Sequence, residues 1–206
     1  MAAPKGAIGR EATRVIASLC IYCGSNTGTD SAHTDLARSL GEACAQRDIE
    51  LVFGGGAIGL MGAAADGALA AGGRVTGIIP TFLEQPEIAH PGVTEMVVVD
   101  SMHARKQRMF ERSDAFAVLP GGIGTLDETV EIITWRLLGL HDKPIVLVDH
   151  QGFWRPLLAL IDHFVDSGFA WPELRDLYAV VDGLDALFAH LEAGGPSGIA
   201  TDADRL

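Results

Sequence analysis

Short apolar runs rich in β-branched residues alternate with longer stretches of helical period along most of this chain. This alternation is typical of repeated strand–helix units, whose strands form a parallel sheet covered by helices on both faces. It predicts the α/β class, with a single-domain, doubly wound, mainly parallel sheet of about seven strands. We place the strands at residues 18–23, 50–54, 74–80, 94–100, 115–120, 144–149 and 177–181.

Helices are predicted between these strands, where apolar residues recur every three or four positions. In an open parallel sheet, ligands bind in the crevice beyond the carboxyl ends of the strands, so chemistry is expected in the loops that follow strands. The segments 1–14 and 194–206 are polar and glycine-rich and are expected to be flexible, leaving 15–193 as the folded domain. The predicted helices lie near residues 31–47, 59–72, 102–113, 125–140, 153–168 and 183–193.

The composition limits the kinds of partner. With 206 residues, of which 48% are hydrophobic, the chain supports one sizeable core rather than two domains. Its net charge of −12 disfavours nucleic acids and acidic membranes as partners. Three cysteines suit a reducing compartment, and neither an apolar leader nor an apolar run of membrane-spanning length is seen in the sequence. We therefore expect a soluble, cytoplasmic protein.

Two glycine-containing loops follow the first and second predicted strands. "GGGAIGLMG" (54–62) has the glycine spacing of a dinucleotide fingerprint, but the next strand ends in "GIIP" and lacks the acidic residue that holds a ribose hydroxyl. We therefore exclude NAD. The loop remains suited to an anion or a polar ligand edge, with a structural tight turn as the alternative. Gly24 and Ser25 form a second such loop after the first strand.

The separation between Cys20 and Cys23 matches a redox motif, whose reactivity depends on a helix N-terminus. Here both cysteines fall on a predicted strand, where this separation directs the two side chains to opposite faces. Core packing is therefore the preferred interpretation of the pair.

A basic pair lies near the start of the third predicted helix, in "DSMHARKQRMFERSD" (100–114). Asp100 or Ser101 is the expected N-cap, which puts Arg105 and Lys106 in or near the first turn. Cations at that end oppose the helix dipole by about 0.3 to 1 kcal/mol each. An anionic ligand would relieve the conflict; the alternative is that both side chains reach Asp100 or solvent.

The strongest motif is "PGGIGTLDE" (120–128), which joins the fifth predicted strand to the following helix. Its glycines let the backbone approach a ligand closely, and the helix directs unpaired N–H groups to the same place. Two interpretations of Glu128 stay open. It is a catalytic carboxylate beside a phosphate cradle, balanced by Arg105, or it closes a capping box with Thr125 at the N-cap.

These motifs resemble the Lonely Guy family of cytokinin-activating phosphoribohydrolases, which also carries the older label "possible lysine decarboxylase". The similarity rests on "PGGIGTLDE" against the family's PGGxGTxxE and on "SMHARK" against its MxxRK segment, together with "GGGAIGLMG" and "TWRLLGLHDKP". It covers about residues 16–192. The resemblance implies a Rossmann-like fold, a homodimer or larger assembly, and no metal or organic cofactor.

The activity implied by the resemblance is hydrolysis of the N-glycosidic bond of a nucleoside 5′-monophosphate, with AMP or isopentenyladenosine monophosphate as the substrate. Arg105 and Glu128 are implied as the catalytic pair. Glu128 would stabilise the positive charge that develops on the ribose or align water, while Arg105 would bind phosphate and keep Glu128 ionised. The expected substrate-binding residues are Gly24, Ser25, Gly54, Gly55, Gly56, Glu87, Met102, Lys106, Pro120, Gly121, Gly122, Ile123, Gly124, Thr125, Leu126, Asp127 and Thr134.

Two other functions fit the same cradle. A nucleotide-binding module would hold the ligand without cutting it and would need neither Arg105 nor Glu128. A related phosphoriboside hydrolase or transferase would act on another base or leaving group. The decarboxylase label finds no support in the sequence, because no lysine context for pyridoxal phosphate is identifiable.

Overall fold

The computed structural model describes residues 15–85 and 88–194 and contains a seven-stranded sheet. The strands are β1 (Ser18–Tyr22), β2 (Glu50–Phe53), β3 (Val75–Pro80), β4 (Glu95–Val99), β5 (Ala115–Val118), β6 (Ile145–Val148) and β7 (Ala179–Val181). They lie in the order β4-β3-β2-β1-β5-β6-β7, and every neighbouring pair is parallel. The predicted α/β class and all seven predicted strands are confirmed.

The described part of the chain contains six α-helices near the predicted positions, five between strands and one after β7. They are α1 (Ser31–Gln46), α2 (Gly59–Ala70), α3 (Met102–Arg112), α4 (Ile123–Leu137), α5 (Arg155–Asp166) and α6 (Leu184–Glu192). No helix in the described part of the chain is long and apolar enough to cross a membrane.

The sheet separates two layers of core. Along β1, Leu19 and Ile21 pack into the layer that contains α1, α2 and α6 side chains, and Cys20 and Tyr22 pack into the opposite layer. This alternation is the two-residue period of a strand buried on both faces. Cys23 belongs to the same layer as Leu19, so the two cysteines of the C-x-x-C lie in different layers, as predicted. Burial raises the pKa of both thiols above the ordinary range, which suits packing rather than redox chemistry.

The strand order reverses between β1 and β5. From β1 the chain builds outward to β2, β3 and β4, and then returns to the other side of β1 to form β5, β6 and β7. The chain therefore runs from β1 and from β5 to helices on opposite faces of the sheet, and the crevice between these connections at the carboxyl edge is where ligands bind in sheets of this kind. Both of the predicted loops at 24–25 and 120–124 lie there.

Candidate active site

The loops after β1 and β5 are in direct contact at the floor of the crevice. The Gly24 N–H donates to the Pro120 carbonyl at 3.0 Å. A Cβ at Gly24 would lie 3.5 Å from the Gly121 Cα, and a Cβ at Gly121 would overlap the Thr125 hydroxyl and lie 2.9 Å from the Gly24 nitrogen. Gly121 is thus a glycine because it packs against Thr125 and the Gly24 backbone, whereas a Cβ at Gly24 would lie 2.9 Å from the Asn26 carbonyl of its own loop. A side chain at either position would therefore point into protein atoms rather than toward a ligand.

Helix α4 begins earlier than predicted, and this changes the interpretation of Glu128. Its N-cap is Gly122, and its first intrahelical bond runs from the Leu126 N–H to the Gly122 carbonyl at 3.0 Å. Thr125 is the third residue of the helix and has a buried side chain. The predicted capping box between Thr125 and Glu128 is therefore wrong, because neither residue stands at the position that a capping box requires.

The N-terminus of α4 faces open space. Gly122, Ile123 and Gly124 are exposed, and a Cβ at Gly122 or Gly124 would meet nothing within 4 Å. The N–H groups of Ile123, Gly124 and Thr125 precede the first intrahelical bond, so a ligand can accept hydrogen bonds from them. A helix N-terminus with accessible backbone is a favourable place for a phosphate or another anion.

Glu128 and Arg105 form a buried ion pair beside this cradle. The Arg105 Nη2 lies 3.6 Å from the Glu128 Oε1, and the two side chains are only 11% and 10% exposed. Ser101 caps α3 and accepts from the Ala104 N–H at 3.1 Å, which puts Arg105 at the fourth helical position. The Arg105 Nε donates to the carbonyl of Ile78, within β3, at 3.2 Å. The alternative in which Arg105 reaches Asp100 or solvent is wrong.

The protonation of Glu128 differs from the prediction. Burial raises the pKa of this carboxyl to about 7; the Arg105 guanidinium opposes the rise, and the charge of Asp127 adds to it. The expectation that Arg105 keeps Glu128 ionised is therefore only partly right, because desolvation outweighs the guanidinium. A carboxyl with a pKa near neutrality can accept or donate a proton at physiological pH.

Lys106 is held by two carboxylates of α4. Its Nζ lies 3.1 Å from an Asp127 oxygen and 3.2 Å from a Glu131 oxygen, and its side chain is 15% exposed. Burial alone would lower the pKa of Lys106, but these two partners raise it overall. Sequence analysis missed Glu131, whose signal is the four-residue spacing from Asp127 that puts both acids on one helix face.

The glycine loop after β2 is buried between α2 and the segment that follows β3. Gly56 and Ala89 form an antiparallel bridge, the Ala57 N–H donates to the Ile88 carbonyl at 2.7 Å, and the His90 N–H donates to the Gly55 carbonyl at 2.9 Å. The His90 ring in turn lies 3.2 Å from Asp66 on α2. Glu87, a predicted ligand-binding residue, lies outside the described residues.

The other predicted ligand-binding residues differ in their placement. Ser25, Met102 and Ile123 are exposed at the carboxyl edge, Pro120 is buried, and Leu126 is half-buried in α4. Thr134 is not brought to this crevice. It lies eleven positions after Ile123, about 16 Å along the helix at the usual rise, and its hydroxyl donates to the Val130 carbonyl at 2.7 Å.

An open parallel sheet with a central reversal of strand order defines the Rossmann-like class of α/β proteins. The chain superposes on the molybdenum cofactor carrier protein of Chlamydomonas reinhardtii with a TM-score of 0.64 and 23% identity, over 85% of this chain and 98% of that one. The molybdenum cofactor binding protein of Rippkaea orientalis gives a TM-score of 0.63 and 20% identity, over 85% and 94%. At these identities the likeness shows the fold alone.

Sequence comparison then identifies the family. The family model described as "Possible lysine decarboxylase" matches residues 61–191. The chain is 40% identical to the cytokinin riboside 5′-monophosphate phosphoribohydrolase of Rhodococcoides fascians, over 92% of this chain and 96% of that protein. A cytokinin riboside 5′-monophosphate phosphoribohydrolase of Arabidopsis thaliana is 42% identical, over 86% and 78%. The chain belongs to this family, and the Lonely Guy resemblance is confirmed.

Proposed function

We propose that this protein hydrolyses the N-glycosidic bond of nucleoside 5′-monophosphates and releases a purine base and ribose 5-phosphate. One observation carries the proposal: the buried Glu128 carboxyl faces the Arg105 guanidinium at 3.6 Å beside an open helix N-terminus. Burying such a pair costs free energy of desolvation. A site that only binds phosphate does not require a buried carboxylate, so the pair indicates a further role. The reaction named for the relatives in Rhodococcoides fascians and Arabidopsis thaliana supports the same activity.

The cradle at Gly122–Gly124 would bind the 5′-phosphate. The accessible N–H groups of Ile123 and Gly124 would donate to phosphate oxygens, and the dipole of α4 favours the negative charge. Binding energy from the phosphate would help to hold the ribose in the reactive position, so a nucleoside without phosphate should lose rate as well as affinity.

Glu128 and Arg105 would act at the ribose. As the bond from C1′ to the base nitrogen breaks, positive charge develops on the ribose ring, and ionised Glu128 stabilises that charge. Ionised Glu128 can also accept a proton from the water that attacks C1′, and the leaving base takes up a proton. Arg105 would contact the phosphate or ribose and favour the ionised form of Glu128.

The base would be a purine with an apolar substituent. Large apolar side chains are exposed in the loops or first helical turns that follow four successive strands: Ile58 after β2, Phe82 after β3, Met102 after β4 and Ile123 after β5. Apolar groups at the carboxyl edge favour an isopentenyl group over the bare amino group of adenine. We therefore propose isopentenyladenosine monophosphate as the preferred substrate and AMP as a poorer one.

Product analysis tests this function directly. The protein is incubated with isopentenyladenosine monophosphate, AMP and the corresponding nucleosides, and base and ribose 5-phosphate are quantified. We expect equal amounts of base and ribose 5-phosphate from both nucleotides, a higher kcat/KM for the isopentenyl substrate, and little release from nucleosides. Binding of the nucleotides without release of base would favour a binding module. Release accompanied by transfer of the ribose 5-phosphate to another acceptor would favour a transferase.

A homodimer is proposed from the exposed face of α4. Val130, Leu137 and Leu138 share one helix face with Thr134 and are 48%, 40% and 44% exposed. An apolar helix face of this kind is typical of an interface. The resemblance implies that Thr134 binds nucleotide, yet this crevice lies about 16 Å away along the helix. A second copy packed on the face is one arrangement that would bring Thr134 to a nucleotide.

We propose a cytoplasmic protein that acts on a small-molecule nucleotide without nucleic acid, membrane or cofactor. The acidic net charge of −12 and the buried, free thiols of Cys20, Cys23 and Cys44 support this setting. Residues 15–193 would form the single catalytic domain.

A further inference from the structure

The Arg105 guanidinium occupies the place where Gly54 would carry a side chain. Gly54 is the first residue after β2 and is buried. A Cβ built on Gly54 would overlap the Arg105 Nη2 and would lie 2.9 Å from its Cζ and 3.3 Å from its Nε. The Nη2 end of the guanidinium therefore lies closest to the Gly54 backbone.

Other groups fix the remaining sides of the guanidinium. The Nε donates to the Ile78 carbonyl at 3.2 Å, the Nη1 contacts the Met102 sulfur at 3.9 Å, and the Nη2 faces Glu128 at 3.6 Å. The contact with Gly54 is the one that depends on the absence of side-chain atoms. Any larger residue at this position would push the guanidinium off the end of β2.

The backbone at Gly54 does not itself require glycine. Gly55 has a φ of +78° and Gly59 a φ of +67°, which favour glycine, whereas the φ of Gly54 lies outside this left-handed region. Alanine can therefore adopt the conformation of Gly54. Since the group that it would meet is the far end of a flexible side chain, the fold can accommodate alanine if Arg105 moves.

We propose that Gly54 is a positioning residue, whose missing side chain creates the seat that holds the Arg105 guanidinium beside Glu128. The consequence for catalysis rests on the proposed function, but the seating of Arg105 does not. Gly54 then acts on the reaction through Arg105. This role differs from the sequence-based expectation that Gly54 contacts the substrate directly.

A double-mutant cycle tests the seat. Gly54→Ala should lower kcat/KM by about 100-fold, the size expected when a catalytic group is displaced by about 1 Å, and should leave the melting temperature within about 3 °C of wild type. In an Arg105→Ala background, Gly54→Ala should change kcat/KM less than twofold. Gly183→Ala is the matched control, because a Cβ there would meet nothing within 4 Å and its φ of −174° suits any residue. We expect wild-type activity from this control.

Titration of Glu128 by carbon-13 NMR provides a readout that does not depend on hydrolysis. Gly54→Ala should raise the pKa of the Glu128 carboxyl, because the guanidinium moves away, and should have no such effect once Arg105 is alanine. If wild type releases no base from any nucleotide but this titration pattern holds, the proposed function fails and the seat stands. The seat is overturned if Gly54→Ala matches Gly183→Ala in activity and titration. It is also overturned if Gly54→Ala lowers activity equally with and without Arg105.

Discussion

Among single residues, Glu128 is the one acidic residue that is buried in the described part of the protein. Its carboxyl is buried in α4, and Arg105 faces it at 3.6 Å without a close hydrogen bond. Such a group costs stability whenever it is ionised, because burial disfavours the charged form. We interpret this cost as the consequence of a site that needs a carboxylate with a pKa near neutrality.

The first prediction concerns stability against pH. The pKa of Glu128 is about 7 in the folded protein against an ordinary 4.5, so the folded state binds this proton more tightly than the unfolded chain. The resulting stabilisation is complete below pH 4.5 and is lost as the pH rises through 7. Glu128→Gln, which resembles the protonated acid, should therefore match wild type near pH 4.5. At pH 8 it should be more stable by about 3 kcal/mol.

Urea unfolding of both proteins between pH 4.5 and 8 measures this difference. A purely structural carboxylate gives the opposite sign, because its removal would destabilise the protein most at high pH.

The second prediction concerns activity against pH. If ionised Glu128 is the active form, kcat/KM for AMP should rise with pH and level off above an apparent pKa of about 7. The substrate phosphate adds a second step near pH 6, which a profile of kcat at saturating AMP helps to separate. A kcat/KM that falls from pH 6 to pH 8 would show instead that the protonated carboxyl acts, as a general acid toward the base.

At the scale of elements, the loop between β5 and α4 combines two kinds of glycine. Gly121 packs against Gly24 and Thr125, whereas Gly124 faces open space on the first turn of α4. The motif thus uses one glycine to join two loops and another to keep the helix N-terminus accessible. Neither role follows from glycine spacing, because the sequence does not reveal which side of each residue faces protein.

The third prediction separates these roles. Gly121→Ala should destabilise the protein by about 1 to 3 kcal/mol, because its Cβ would overlap the Thr125 hydroxyl and approach the Gly24 nitrogen. Gly124→Ala should be as stable as wild type or more stable by up to about 1 kcal/mol, since alanine favours helix. It should nevertheless raise the KM for AMP by about tenfold by crowding a phosphate hydrogen bond. Chemical denaturation and steady-state kinetics of both variants provide the measurements; equal KM values for wild type and Gly124→Ala would contradict a phosphate site there.

Much of the element pattern was predictable from sequence. All seven strands and six helices follow from apolar periodicity, because buried strands and amphipathic helices carry different periods. The start of α4 was misplaced by two residues, since Thr125 and Glu128 have the spacing of a capping box that Gly122 displaces. The contacts of Arg105 with the Ile78 carbonyl and with Gly54 could not be predicted from the sequence. The first is made to a backbone atom, which every residue has, and the second depends on the absence of a side chain.

At the scale of the whole molecule, the fold assembles the site from distant parts of the chain. β1 and β5 are neighbours although α1 to α3 and three strands lie between them in sequence, so the reversal of strand order creates the crevice. The motifs predicted that Arg105 and Glu128 meet there, whereas Glu131 was missed and Thr134 lies farther along α4. They could not predict the protonation of Glu128, because burial results from packing of the whole domain.

The fourth prediction concerns assembly. Replacement of Leu138 by glutamate on the exposed face of α4 should convert the proposed dimer to a monomer, because the charge would be buried in an apolar interface. If Thr134 of one copy serves the other, the KM for AMP should rise as well. Val98→Glu is the control, because Val98 is an apolar residue of similar exposure, 42% against 44%, and lies on the edge strand β4. Sedimentation velocity measures the oligomeric state of each protein. A monomeric wild type, or a Leu138→Glu variant that remains a dimer, would contradict this interface.

We propose that the Glu128 carboxylate performs chemistry rather than supporting the fold. The most direct test measures release of free base from isopentenyladenosine monophosphate and AMP by wild type and Glu128→Gln, with the melting temperature of each. We expect Glu128→Gln to fold at least as stably as wild type at neutral pH and to lose at least about 100-fold in kcat/KM on both substrates. Base release by Glu128→Gln at the wild-type rate would contradict it.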